Sequence, residues 1–218
     1  MEELLKITLI GLFFGTFGTT IGGIIGVTIK TTSEKFLSFI LEFASGLMIA
    51  IVCFGLIPES LKLSEITITA IGILLGIIVM ILCNIFVKKK LAKRPGTRNS
   101  LLKTGIIVSI GLAIHNFPEG LAIGSGFGSS ITLGYSLAVA ILLHDVPEGI
   151  AMSVPMKSGG MKKSRVLIYT ILSGATTGVG AFFGSLIGNV SEGMISMCLA
   201  FAGGAMLYIV FRRINAGI

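Results

Sequence analysis

Long apolar runs separated by short polar breaks make up almost the whole chain. A bilayer core takes about 20 apolar residues per spanning helix. Seven runs reach that length, at about 5–29, 36–58, 66–87, 102–127, 131–156, 164–188 and 193–211. The third, ITAIGILLGIIVMILCNIFV, carries no charge. The pattern predicts an all-α polytopic membrane protein: one transmembrane domain over residues 1–218, with seven transmembrane helices and no soluble module. Composition agrees, since 12% charged residues and 53% hydrophobic ones stand against about 25% charged in soluble chains.

The net charge of +7 would suggest a nucleic-acid partner in a soluble protein, but its distribution gives another meaning. With the connections alternating across the membrane, one side holds only Lys6 and Lys62. The other holds Lys30, Lys35, the KKKLAKR cluster at 88–94, Arg98, Lys103, Lys157, Lys162, Lys163, Arg165, Arg212 and Arg213. Basic residues mark the cytoplasmic face. The expected topology is N-terminus outside and C-terminus in the cytoplasm, with 88–103 as the main cytoplasmic loop and the plasma (inner) membrane as the location. The first run follows MEELLK, which is acidic and lacks a small-residue cleavage site, so it is expected to be a retained helix. Cys53, Cys83 and Cys198 stand singly in apolar stretches and read as packing residues.

Two internal similarities organise the chain. LAIHNFPEGL at 112–121 returns 29 residues later as ILLHDVPEGI, and FASGLMIAIV at 43–52 returns as FAGGAMLYIV at 201–210. The first pair lies on the fourth and fifth runs, which a short loop near GFGSS should join as antiparallel neighbours, so the repeat is inverted. Inverted repeats are a mark of transporter folds. Rows of glycine in the first run (Gly11, Gly15, Gly18, Gly22, Gly26) and the sixth (Gly174, Gly178, Gly180, Gly184, Gly188) predict close backbone packing.

The repeated motif carries the chemistry. His115 and Glu119 lie four apart, as do His144 and Glu148, so each pair shares a helix face near mid-membrane. An acid at the centre of a span costs roughly 2.5–3.5 kcal/mol, so Glu119, Asp145 and Glu148 together would cost on the order of 8–10 kcal/mol if unpaired. No lysine or arginine lies at that depth to offset them, whereas a divalent cation would. Two imidazoles and two carboxylates suit zinc, and would accept Fe(II), Mn(II), Co(II) or Cd(II). Asn116 and Asp145 add oxygen donors for a second ion or for water. Pro118 and Pro147 cannot donate to the carbonyls of Ile114 and Leu143, so each helix should bend just beside its histidine.

A proton relay or a membrane metalloenzyme could use the same residues. Against an enzyme, there is no HExxH, and the order of acid and histidine reverses the ExxH of di-iron bundles. No P-loop is present, so the chain should not use a nucleotide.

His115-Asn116-Phe117-Pro118-Glu119-Gly120 and His144-Asp145-Val146-Pro147-Glu148-Gly149 resemble the paired metal-binding motifs of the Zrt/Irt-like (ZIP) metal-ion transporters, most closely their prokaryotic-type zinc-uptake branch. SGLMIAIVCFGLIPES and LAFAGGAML add to the likeness. The resemblance implies a 3+2+3 helical bundle, here without its eighth helix, and secondary transport of divalent metal toward the cytoplasm. It implies a primary site of His115, Glu119, His144 and Glu148, with Asn116 and Asp145 at an adjoining second site. The metal is then transported substrate, with no catalytic cofactor. Expected partners are the divalent ion and the bilayer, with a homodimer admitted and nucleic acid and nucleotide excluded.

Two departures bear on function. Thr177 stands where the branch has a glutamate, which weakens the second site, and the chain ends in FRRINAGI after the seventh run. A non-transporting metal-binding remnant is the reading that the missing helix motivates. The loop KKKLAKRPGTRNSLLK has no histidine, so metal sensing is not expected there. Glu59, after Pro58, is a candidate for the mouth of the pathway, although an interfacial helix end explains it equally well.

Overall fold

The computed structural model describes residues 1–29, 33–92 and 100–216. Among them there is no strand. The helices are α1 (Glu2–Thr28), α2 (Glu34–Ile51), α3 (Ile57–Leu63), α4 (Ile66–Ala92), α5 (Ser100–Ser129), α6 (Ile131–Ser158), α7 (Lys163–Gly188) and α8 (Glu192–Ala216). Seven spans are long and apolar enough to cross a membrane, the second being α2 and α3 taken together. The protein is therefore an all-α integral membrane protein, with seven spans among the described residues, as its apolar runs predict.

The second span extends to Leu63 rather than to about 58. It is interrupted by one π turn, Val52–Leu56, closed by the bond from Ile57 N–H to the Val52 carbonyl. Pro58 has no N–H to offer Phe54, so the α-helical register cannot pass through unchanged, and the wider turn absorbs the mismatch. Ser33 caps α2, its hydroxyl accepting from Phe36 N–H at 3.2 Å.

The expected short connection near GFGSS is a single residue: α5 runs on to Ser129, and Ser130 alone joins it to α6, its hydroxyl capping Leu133 N–H at 3.1 Å. Phe127 lies over Gly134 and meets Tyr135 edge-on, which holds the reversal tight. Pro118 and Pro147 lie within α5 and α6, which continue through them. Of the expected loop 88–103, Lys88–Ala92 continue α4 and Ser100 opens α5, so its described residues are helical. Its residues 93–99 lie outside the described residues, as does Lys30.

The packing follows the repeats. α1 and α5 each pack against α6 and α7, while α4 packs against α8. The last glycine of each motif is a crossing point. A Cβ on Gly149 would run into the Thr19 carbonyl of α1 and stand 3.0 Å from Gly22 Cα. A Cβ on Gly120 would run into the Thr177 carbonyl of α7 and stand 2.8 Å from Gly180 Cα. Thr19 and Thr177, and Gly22 and Gly180, are each 158 apart in number, the same offset that relates 43–52 to 201–210. One inverted relation thus exchanges α1 with α7, α5 with α6, and the second span with α8. The glycine rows serve the close approach they predict. Of the cysteines, Cys198 is buried and Cys83 half-buried, but Cys53 is exposed rather than packed.

Candidate metal-translocation site

His115 lies fifteen residues into the thirty of α5, and His144 thirteen into the 28 of α6. At about 1.5 Å per residue each imidazole is roughly 20 Å from either end of its helix. Antiparallel pairing at Ser130 then sets the two motifs side by side at mid-depth.

The pairing is crosswise. His115 Nε2 lies 3.3 Å from Glu148 Oε1, and His144 Nε2 lies 2.9 Å from Glu119 Oε1. Each histidine meets the glutamate of the other helix, because its own glutamate sits a turn away in the direction that the opposed helix reverses. Asp145 Oδ1 is 3.7 Å from His144 Nε2. Ligand atoms of His115, Glu119 and Glu148 lie within 4.8 Å of one another, and so do those of Glu119, His144 and Asp145. Glu119 belongs to both groups and occupies the centre of the constellation.

All of these groups are withdrawn from solvent. His115 is 4% exposed, and Asn116, Glu119, His144, Asp145 and Glu148 are 0% exposed. No lysine or arginine is buried among the described residues. With all three carboxylates ionised, even two protonated imidazoles leave the cluster net negative, so a proton or a cation from outside must balance it. Both oxygens of Asp145 and Oδ1 of Asn116 have no hydrogen-bond partner, which is expensive for groups this deep unless an ion or water joins them.

The flanking residues fall into place around this centre. Asn116 Nδ2 donates to the Ser173 carbonyl at 3.0 Å, fixing the amide against α7. Thr176 Oγ1 donates to the Ala113 carbonyl at 2.8 Å, one residue before the Ile114 carbonyl that Pro118 leaves without its helical donor. Thr177 is buried against α1, where a Cβ on Gly15 would be 2.5 Å from its hydroxyl, and that hydroxyl has no partner. Ser173 and Thr176 were not singled out by sequence. The signal that finds them is the 158-residue offset, which matches them to Gly15 and Gly18.

Glu59 does not join this centre. It lies in the first turn of α3, where Oε2 pairs with Lys62 Nζ at 2.9 Å and Oε1 accepts from Ser129 Oγ at 2.6 Å. Ser129 is ten residues beyond Glu119, about 15 Å along α5.

A buried, net-negative set of imidazoles and carboxylates at the middle of two opposed spans defines a membrane cation transporter rather than a packing feature. The ZIP zinc transporter family model matches residues 89–216. The chain is similar to the zinc transporter ZupT of Chlorobium chlorochromatii, 32% identical over 90% of this chain and 81% of that one. It is equally similar to ZupT of Campylobacter jejuni, 32% identical over 95% of this chain and 85% of that one. A shorter match, 39% identical over 49% of this chain and 42% of the other, is to the zinc transporter GufA of Myxococcus xanthus. The chain belongs to the ZIP zinc transporter family, and is a transporter by class, not an enzyme.

Proposed function

We propose that the protein carries zinc as its substrate across the plasma membrane toward the cytoplasm, as a secondary transporter, by way of the His115, Glu119, His144 and Glu148 cluster. The observation that carries this reading is the crosswise meeting of each histidine with the other helix's glutamate, in a buried cluster whose formal charge exceeds what its own imidazoles offset. A doubly charged ion balances that excess and accepts a mixed nitrogen and oxygen ligand set. Zinc is favoured because the relatives are named for it; Fe(II), Mn(II), Co(II) and Cd(II) fit the same donors.

Asp145 extends the cluster through Glu119 and His144, and Asn116 flanks it, so these two form the adjoining site for a second ion or for water. Thr177 supplies a hydroxyl there in place of a charge. The bias of basic residues supports an N-terminus outside and a C-terminus in the cytoplasm, with residues 1–218 acting as one transmembrane domain.

The test is zinc uptake into proteoliposomes by the wild type and by the double variant His115→Ala, Glu148→Ala. Uptake should fall to the level of empty vesicles. Equal uptake by the two proteins excludes this site as the route.

A further inference from the structure

The central cluster is sealed in this structure, with none of its six residues more than 4% exposed, so an ion reaches it only after helices part. Polar contacts between helices show where parting is resisted. Among the described residues, one set of side-chain hydrogen bonds ties α1, α5, α6 and α7 together: Thr19 to the Thr170 carbonyl, Asn116 to the Ser173 carbonyl, Thr176 to the Ala113 carbonyl, and Lys157 to the Ile29 carbonyl. A second set ties α3, α4 and α8, through Ser60 with Thr69 and Ser196 and through Asn84 with Tyr208.

One described side-chain hydrogen bond crosses between the sets, from Ser129 Oγ at the end of α5 to Glu59 Oε1 in α3. Beside it the packing is apolar, with Ala122, Ile123 and Ile141 in the same buried cluster as Val52, Leu56 and Leu199. Such contacts have no directional requirement, so they oppose separation only through buried area. The crossing bond is different: it is short, its acceptor is a carboxylate paired with Lys62, and charge-assisted bonds are roughly twice as strong as neutral ones. It also lies near the surface, the Glu59 side chain being 19% exposed and that of Lys62 72% exposed, so water can take over both partners when it opens.

We propose that the Ser129–Glu59 hydrogen bond is a latch. It holds the outer end of the α5–α6 hairpin against α3 and so governs access from that face to the central cluster. Ser130 alone joins α5 to α6, so release at Ser129 frees the tip of the hairpin as a unit, and the π turn at Val52–Leu56 places the acceptor at the facing end of the second span.

The test does not depend on the identity of the transported ion. In full-length protein with Cys53, Cys83 and Cys198 replaced by alanine, a reporter cysteine is placed at Ala122, one turn from Glu119 on the latched side. Its labelling rate by a membrane-impermeant thiol reagent, applied from the face bearing Ser129, reports opening. Ser129→Ala should speed labelling by about tenfold, the factor that corresponds to about 1.4 kcal/mol. Glu59→Gln should do the same, and the double variant should add little, because both remove one bond. Lys62→Ala, which leaves the Ser129 bond in place, should change labelling far less. Unaltered labelling in Ser129→Ala, or independent effects of the two substitutions, overturns the latch. Either result leaves the zinc route untouched, since uptake through His115 and Glu148 is measured separately.

Discussion

Replacing Glu119 by glutamine separates a structural ion pair from a cation site, because the two roles demand different changes in the metal-free protein. Glu119 touches His144 at 2.9 Å and belongs to both groups of candidate ligands. If the carboxylate were present to hold the helices together, removing one partner of a buried pair would cost about 3–5 kcal/mol. If it is present for a visiting ion, the metal-free protein carries an excess of buried negative charge. Deleting one charge then relieves roughly 2.5–3.5 kcal/mol of the insertion penalty, and the amide keeps a hydrogen bond to the imidazole. At a cation site the weakened contact with His144 and the relieved charge offset each other, so metal-free stability should stay within about 1 kcal/mol of wild type.

The zinc-bound protein should respond differently. Loss of a shared ligand should weaken zinc by at least the roughly 100-fold seen when even outer partners of ligands are removed. By mass action a 100-fold loss of affinity withdraws about 2.7 kcal/mol of ligand stabilisation. The chain has no tryptophan, so the measurement is a far-ultraviolet circular dichroism melt in detergent, with chelator and with excess zinc. Glu119→Gln should melt close to wild type in chelator and lose most of the upward shift with zinc. A large drop in chelator together with an undiminished zinc shift would refute the reasoning, and would make the cluster a structural pair.

The other expectations concern packing and the flanking residues. Gly149→Val and Gly120→Val should each destabilise the fold by 3 kcal/mol or more, at or beyond the upper end of the roughly 1–3 kcal/mol typical of overpacking, because the obstructing atoms are backbone. Gly46→Ala, where a Cβ meets nothing within 4 Å, should instead raise the melting temperature slightly, by up to about 1 kcal/mol of helix propensity. Ser60→Ala should cost about 1–3 kcal/mol in the same melt, since it removes contacts to both Thr69 and Ser196 in a buried setting. Thr177→Glu should raise the zinc bound at equilibrium dialysis from a single ion toward a pair, and unchanged stoichiometry would show that Thr177 does not limit the count.

Much of this is legible in the residues themselves. Spans follow from the length of apolar runs, since lipid leaves the backbone no choice but to satisfy itself in helices. The central cluster follows from the cost of acids at mid-depth. What the residues did not reveal were features set by contact between helices. The π turn depends on how the second span reconciles Pro58 with its packing. The reversal at Ser130 depends on Phe127 fitting over Gly134, although GFGSS has the composition of a loop. The contact of Glu59 with Ser129 joins residues 70 apart, and no periodicity connects them. The offset of 158 was visible in one stretch, yet its extension to α1 and α7 emerges only when Gly120 and Gly149 are seen to meet equivalent carbonyls.

That inverted relation also explains why the site is lopsided. Asn116 and Asp145 are counterparts, and so are the helices that flank them, but the flanks differ in what they bring. Beside Asn116, α7 presents Ser173 and Thr176, whose backbone and hydroxyl engage the amide and a neighbouring carbonyl. At the corresponding places beside Asp145, α1 has Gly15 and Gly18, and a Cβ on Gly18 would stand 2.7 Å from Asp145 Cβ. Glycine leaves room but offers no side-chain donor. The amide is thus met by the protein, whereas the charged group is left with two buried oxygens that no described residue bonds. Thr19 and Thr177 continue the contrast: the first donates to the Gly15 and Thr170 carbonyls, and the hydroxyl of the second has no partner. The donors are thus gathered around the amide, and the oxygens of Asp145 are left to the ion pair with His144 at 3.7 Å, without a hydrogen bond. On the proposed reading, that is the side where a second ion, or the water of a single one, gains most.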